Sequence, residues 1–346
     1  ALVPERLLAL AIYLVTAMAP PAFLLAQTVP VLSNELRSAR AGHAAGVALA
    51  WSTAGSVISA LGLSLVVMQL FGLRWAVVLA AAPLATMAAV TARRLVDGHR
   101  LFRASIVTLG TVAMVNLVPT PFVLAETAYA DYVVVRQVEP TTASAGSTLP
   151  IEHFVINQQS ASTLDAGEPR QRAAYIEYLS KVLRSDLRFE GKHILVLGAG
   201  GFTLGLGDDA NSYTYVDIDP QVKALAEAAF LGEPARGAFV VGDARRYVMQ
   251  TDRRYDAIVV DTFASHVSIP SHLVTIEFWR GLPRALVDGG VVLVNVVADP
   301  QLASAFATRM LRTIDTAIGP CPRHVLEPSA LVSNVEIVCR AAARRP

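Results

Sequence analysis

Charge is what this chain has least of. Asp, Glu, Lys and Arg make up 16% of its 346 residues, against about 25% in soluble domains. The few charges also cancel, 29 basic residues against 28 acidic, to leave a net +1. No field of one sign is left over to attract nucleic acid, so no nucleic-acid partner is expected. Cysteine is nearly absent. Cys321 and Cys339 are the only two, too few for a disulfide framework or a cysteine-ligated metal. They are expected to be small residues of core or surface, and no metal is expected.

The missing charge is missing locally. Residues 7–34, 44–73, 75–92 and 104–125 contain no charged side chain. A run of ~20 such residues is long enough to cross ~30 Å of hydrocarbon. The expectation is therefore about four transmembrane helices in residues 1–127, inserted in a bacterial-type inner membrane with the lipid bilayer as partner. Pro20, Pro21 and Pro30 in the first run and Pro119 and Pro121 in the fourth should kink or end their helices. Small residues of the second (Ala50, Ala54, Gly55, Ala60, Gly62) suit close helix contact. No ionisable group lies inside a span, where ion-coupled transporters keep one, so an anchor or scaffold is favoured over transport. No signal-peptide n-region or cleavage site is recognisable. Arg37 and Arg40 follow the first run, and Arg93, Arg94, Arg100 and Arg103 follow the third. The positive-inside rule puts these loops in the cytoplasm and the rest of the chain outside it. A nucleoside cofactor made in the cytoplasm argues for the opposite side, and the reading leans that way.

Beyond residue 127 the pattern changes to that of a folded α/β domain. Residues 132–138 and 153–157 alternate around a Thr/Ser/Gly/Pro-rich turn at 140–150, which predicts a β-hairpin module over 128–170. Residues 160–170 are expected as a polar loop. Helical periodicity over 171–187 puts Tyr175, Tyr178, Leu179 and Val182 on one face. Strands are predicted at 193–197, 213–218, 239–241, 255–260 and 290–297, with helices at 220–230, 275–286 and 301–318. Two late runs, 324–326 and 334–339, suit a closing hairpin. Alternating strands and helices over 171–346 mean a Rossmann-like parallel sheet that binds its ligand at the carboxyl ends of the strands.

The functional signal lies at those ends. Gly198-Ala199-Gly200-Gly201 follows the first strand, where a tight turn under a helix N-terminus would cradle a nucleoside. Asp217 ends the second strand and can accept from two ribose hydroxyls. Asp243, in Gly242-Asp243-Ala244, follows the third and can accept from an adenine amino group. Asp261, followed by Thr262, ends the fourth. Four such features in register suit an S-adenosylmethionine-type ligand better than a nicotinamide dinucleotide, although any one of these acids could be a helix N-cap.

With these residues the chain resembles the membrane-fused branch of the spermidine synthase (polyamine aminopropyltransferase)-like family. FLLAQTVPVLS at residues 23–33 and the run 46–73 look like the last characteristic helices of that branch. Tyr175-Ile176-Glu177-Tyr178-Leu179, the glycine turn, Val216-Asp217-Ile218-Asp219-Pro220, residues 255–261 and Ser268-Ile269-Pro270-Ser271-His272-Leu273-Val274-Thr275 are similar to family segments. The resemblance implies a β-hairpin domain on a methyltransferase-type fold, decarboxylated S-adenosylmethionine as donor, a polyamine acceptor, 5′-methylthioadenosine as co-product and a homodimer. It also implies roles. Asp217 would hold the ribose and Asp243 the adenine. Asp261 would orient or deprotonate the nucleophile, Tyr175 would line the amine site, and Gln158 or Gln159 would approach the sulfonium. Gly198, Gly200, Gly201, Ala244, Thr262, Ser265 and His266 would complete the substrate contacts.

The departures from that family shift the expected chemistry. Soluble aminopropyltransferases carry an Asp within the glycine loop, where this chain has Gly201 and Phe202, and another Asp three residues after the catalytic one, where it has Ala264. A desolvated polyamine needs paired carboxylates. Full S-adenosylmethionine, by contrast, brings a carboxylate that an acid in the glycine loop would repel and that free N–H groups at a helix N-terminus would welcome. That carboxylate could attack its own γ-carbon. The expected function is thus cleavage of the γ-carbon–sulfur bond with release of 5′-methylthioadenosine, leaning to an S-adenosylmethionine lyase that yields homoserine lactone. Aminopropyl transfer is the alternative, followed by methyl transfer and by a non-catalytic nucleoside sensor or transport subunit.

Overall fold

The computed structural model describes residues 4–15, 19, 23, 26, 41–92, 98–117, 123–138, 150–165, 167, 170, 172–262 and 269–340. The chain divides into two compact units, Ala1–Leu117 and Val118–Pro346.

The first unit is helical: α1 (Pro4–Tyr13), α2 (Ala41–Gly62), α3 (Met68–Ala92) and α4 (Gly98–Leu117). A π-helical turn, Leu63–Val67, joins α2 to α3. One helical run among the described residues, Ala45–Val90, is long and apolar enough to cross a membrane, with a mean hydropathy of 2.0. This differs from the expected four spans. The second and third meet in that single run, interrupted at Gly72, where φ is 81° and ψ 176°. Glycine reaches such an angle without penalty, so the helix can break there without a loop. The fourth span shortens to an apolar helix, Phe102–Leu117, because the chain has turned to strand by Ala125. The first lies largely outside the described residues, as do Pro119 and Pro121. Polar side chains within the helices bond their own backbone: Ser56 donates to Ser52 C=O at 2.9 Å and Thr86 to Ala82 C=O at 2.8 Å. Among the described residues of this unit only Ala76 is buried.

The second unit holds two sheets. The smaller has the order β1-β2-β3-β4, all antiparallel: β1 (Ala125–Glu126), β2 (Asp131–Val138), β3 (Pro150–Ile156) and β4 (Gln159–Asp165). The expected hairpin of 132–138 and 153–157 is therefore present, but the expected polar loop begins with a further strand. The turn into β4 is Asn157-Gln158, with φ 51° and 64°. A two-residue turn with both residues left-handed matches the twist of the flanking strands. It closes a second hairpin where the sequence shows no glycine.

The larger sheet runs β10-β11-β9-β8-β5-β6-β7. Its parallel strands are β5 (His193–Leu197), β6 (Ser212–Asp217), β7 (Ala238–Val241), β8 (Tyr255–Val260) and β9 (Leu286–Ala298). β10 (Arg323–Val325) and β11 (Ser333–Arg340) add the closing antiparallel hairpin against β9. Helices α5 (Ala174–Lys181), α6 (Val222–Ala226), α7 (Ala244–Gln250), α8 (Ile276–Gly281) and α9 (Ala305–Ile318) pack around it. Each face has its own core. One gathers Phe278, Trp279 and Ile314 from α8 and α9, the other Phe154, Ile176 and Phe230. The glycine turn does not lead into a helix. Residues 201–211 are turns and bends, so no helix N-terminus stands over it. Cys321 and Cys339 form a disulfide, with Cα atoms 4.9 Å apart, which corrects the expectation of two unconnected small residues. Cys339 is on β11 and Cys321 lies just before β10, so hairpin formation itself brings them together.

Candidate functional site

The switch point of the larger sheet lies between β5 and its neighbours β6 and β8, and the glycine turn occupies it. Gly198 has φ 90°, and a Cβ there would lie 2.1 Å from the Asp261 carbonyl oxygen. Only glycine lets the β5 turn pass the end of β8 so closely. Gly200 is left-handed as well, at φ 49°. A Cβ on Gly201 would meet the Phe230 ring at 2.5 Å and Ser162 Cβ at 2.8 Å. The loop acid of soluble aminopropyltransferases therefore has no room at this position. Phe202 is buried, its ring 4.8 Å from that of Tyr215.

Hydrogen bonds lock the turn from both sides. Asp217 accepts from Ala199 N–H at 2.9 Å through one oxygen and from Asp219 N–H at 3.0 Å through the other. Burial pushes its carboxyl above the usual range, and the N–H donors oppose that shift. Gly201 N–H donates to Ser162 Oγ at 2.9 Å, and Phe202 N–H to Ala199 C=O at 2.9 Å. The two N–H groups expected to greet a substrate carboxylate are thus already engaged.

Asp261 follows β8, its N–H bonded to Leu197 C=O at 2.9 Å. Its Oδ1 accepts from Asn295 Nδ2 at 2.9 Å, and Asn295 in turn accepts from Asn334 Nδ2 at 2.8 Å. Burial holds the Asp261 carboxyl above the ordinary range, against the hydrogen bonds from Asn295 and Tyr175. The Tyr175 hydroxyl donates to Ala161 C=O at 3.0 Å and lies within reach of Asp261 and Ser162. A narrow cleft of about 10 Å³, room for little more than one water molecule, joins these groups, lined among others by Ser162, Tyr175, Gly198, Gly200, Tyr215 and Asp261. Thr262 Oγ1 is buried with no partner among the described residues.

Asp243 is an N-cap: Oδ1 accepts from Arg246 N–H at 2.8 Å at the start of α7. Its other oxygen pairs with His272 Nε2 at 2.8 Å, which ties the segment around His272 to the end of β7. Ala244 is buried beneath it. Glu177 is engaged outside the cleft, in an ion pair with Arg172 at 2.8 Å.

The structure thus brings Asp261, Tyr175, Gly198 and Gly200 together at one cleft. Asp217 is hydrogen-bonded to its glycine turn, and Asp243 stands at the neighbouring strand end. It does not bring in Gln158 and Gln159. Gln158 is at the exposed apex of the β3–β4 turn and Gln159 opens β4 opposite Ile156; neither lines the cleft. Ser265, His266 and Ala264 lie outside the described residues. Sequence reasoning missed Ser162, which clamps the glycine turn from β4, Asn295, which reaches Asp261 across strands, and Asn334, which holds Asn295. No local motif announces them; a polar residue inside an apolar strand run, as Asn295 is, was the only signal.

No family model matches the chain. It is 38% identical over 122 residues to polyamine aminopropyltransferase 2 of Hyperthermus butylicus, covering 32% of this chain and 40% of that protein. A polyamine aminopropyltransferase of Sulfolobus acidocaldarius is 30% identical over 128 residues, 34% of this chain and 42% of its own length. An N-terminal histidine N-methyltransferase of Emericella nidulans is 33% identical over 138 residues, 38% of this chain and 24% of its own. The chain therefore spans less than half the length of these curated relatives. Among solved structures, a probable spermidine synthase from Corynebacterium glutamicum superposes with a TM-score of 0.49 at 19% identity, over 64% of this chain and 81% of its own. By sequence, the chain is similar to spermidine-synthase-like polyamine aminopropyltransferases.

Proposed function

We propose that the chain is an enzyme of the aminopropyltransferase type. It binds a sulfonium nucleoside over the glycine turn and transfers its three-carbon amine to an acceptor amine, releasing 5′-methylthioadenosine. The observation that carries this reading is Asp261, a buried carboxyl held at the strand end by Asn295 and Tyr175 beside the glycine turn. The leaving group is neutral and already activated, so the site's task is alignment of a nucleophile behind the γ-carbon. An amine must be unprotonated to attack. A carboxyl whose proton affinity is raised by burial is suited to accept that proton. The new nitrogen–carbon bond forms as the carbon–sulfur bond breaks, and the proton of the amine passes to Asp261. Asp217 would take the ribose hydroxyls and Asp243 the adenine amino group.

Two findings move this reading ahead of the lyase expected from the sequence. The N–H groups of Gly201 and Phe202 are engaged, and no helix begins at the turn. The proposed seat for a substrate carboxylate is therefore gone. The similarity to polyamine aminopropyltransferases adds to this. The full chain, given decarboxylated S-adenosylmethionine and 1,4-diaminobutane, is expected to release 5′-methylthioadenosine. Asp261→Asn should slow that release by ~10²–10⁴-fold. Release of the same product from S-adenosylmethionine alone would favour the lyase, and S-adenosylhomocysteine would show methyl transfer; either result without aminopropyl transfer overturns the proposal.

The first unit serves as a membrane anchor in this reading. Among its described residues only Ala76 is buried, with Trp51 76% and Ile58 72% exposed, which suits a lipid surrounding. The disulfide and the arginines after the first and third apolar runs support a reading in which the second unit lies on the oxidising side of that membrane, against the lean from cofactor supply. A membrane-impermeant thiol reagent, applied to intact cells after reduction, should label the half-buried Cys321; protection of Cys321 in intact cells but not in opened ones would refute this sidedness.

A further inference from the structure

One carboxyl beside the site has no part in this chemistry. Glu336, on β11, is 0% exposed, and neither of its oxygens has a hydrogen-bond partner among the described residues. An ionised carboxylate in that state would be strongly disfavoured, so the group must be neutral or face a cation. Register identifies its neighbours. Glu336 stands opposite Asn295 of β9 on one side and His324 of β10 on the other. Opposed residues of antiparallel strands share a face, with Cβ atoms about 4.5–5.5 Å apart. Asn295 donates to Asp261. Asp261, Asn295, Glu336 and His324 thus form a polar row across four adjacent strands, running from the cleft to the exposed His324.

Helix α5 supplies two tyrosines to this row: Tyr175 reaches Asp261, and the Tyr178 ring stacks on His324 at 4.7 Å. The titratable groups facing Glu336 are therefore Asp261, Tyr175, Tyr178 and His324, and none of them is a permanent cation. Burial first, and the charge of Asp261 second, push the Glu336 carboxyl well above the ordinary range.

We propose that Glu336 is the second carboxyl of the amine subsite beside Asp261, carrying a proton while the cleft is empty and giving it up when a cationic amine settles beside Asp261. The inference rests on the amine-acceptor reading above. An ammonium group at Asp261 cancels the negative charge that Glu336 otherwise faces, which removes one cause of its protonation. Two carboxylates then hold one cation. Glu336 in this way supplies, from the closing hairpin, the second acid that Gly201 and Ala264 do not. The proton leaves to solvent, with His324 as the exposed end of the row. Amine binding is thereby linked to release of one proton, and affinity should climb by up to about tenfold per pH unit while Glu336 is protonated in the empty cleft.

The test is calorimetric titration of the full chain in detergent, saturated with 5′-methylthioadenosine, with 1,4-diaminobutane in two buffers of different ionisation heat. Wild type is expected to release close to one proton per diamine. Glu336→Gln should release almost none and show an affinity that no longer follows pH, with its 5′-methylthioadenosine affinity within about twofold of wild type. Glu336→Asp, which keeps a titratable carboxyl, should retain the release, which a merely structural role for Glu336 does not require. Equal release by Glu336→Gln, or diamine binding by wild type without release, overturns the inference. A chain that binds 5′-methylthioadenosine but no diamine overturns it too, leaving the nucleoside site standing. A chain that binds neither refutes the functional reading itself.

Discussion

At the scale of single residues, the site depends on what is missing at Gly198 and Gly201. Both are places where backbone must come closer than a side chain allows: to the Asp261 carbonyl in one case, to Phe230 and Ser162 in the other. Gly198→Ala adds a methyl group 2.1 Å from a main-chain oxygen, at a φ of 90°. Neither the contact nor the angle can relax without moving β8, and a left-handed non-glycine residue alone costs ~1–3 kcal/mol. The expected outcome is a melting temperature several degrees lower and loss of 5′-methylthioadenosine binding. An alanine variant that binds the nucleoside normally would show that the turn and Asp261 are not closely apposed. The glycines, Asp217, Asp243 and Asp261 were all legible in the sequence, because each sits at the end of a short apolar run that announces its strand. Their engagement was not. Asp243 caps a helix as well as pairing with His272, and Glu177 turns to Arg172.

At the scale of elements, the closing hairpin matters more than its two short runs suggested. It carries Glu336 and Asn334 toward Asp261, and it carries the disulfide. Cys321 and Cys339 are 18 residues apart in sequence, and closing a loop of that size stabilises by about 3 kcal/mol in the chain-entropy account. For a domain of this size that corresponds to roughly 6–12 °C in melting temperature. Cys339→Ser, or reductant added to wild type, should lower the transition of the second unit by about that amount, read by circular dichroism. No change in either sample would mean that the pair is not bridged in solution. Strand β4 is the other element that sequence periodicity passed over. Its residues, Gln159-Ser160-Ala161-Ser162-Thr163-Leu164-Asp165, are too polar to read as a strand, yet β3 fixes them in register and Ser162 then reaches the glycine turn.

At the scale of the whole molecule, the uneven distribution of charge becomes a division of labour between two units. Both hydrophobic cores belong to the second, Val118–Pro346, whereas among the described residues of the first only Ala76 is buried. A fragment of residues 118–346 is therefore expected to fold and remain in aqueous buffer, with a cooperative melt. The full chain should require detergent and resist extraction by alkaline carbonate. Aggregation of the fragment, or release of the full chain by carbonate, would contradict that division.

Composition alone separated an apolar helical part from an α/β part, since hydrophobic run length and strand periodicity are properties of neighbours along the chain. Local sequence likewise placed the glycine turn and its three acids. Tertiary structure decided what those groups meet. It filled the N–H groups of the glycine turn, closed position 201 to any side chain, paired the two cysteines and set Glu336 in one row with Asp261. Each of these is a contact between strands distant in sequence, and register between strands is fixed by the packing of the whole sheet, which no short stretch of residues encodes.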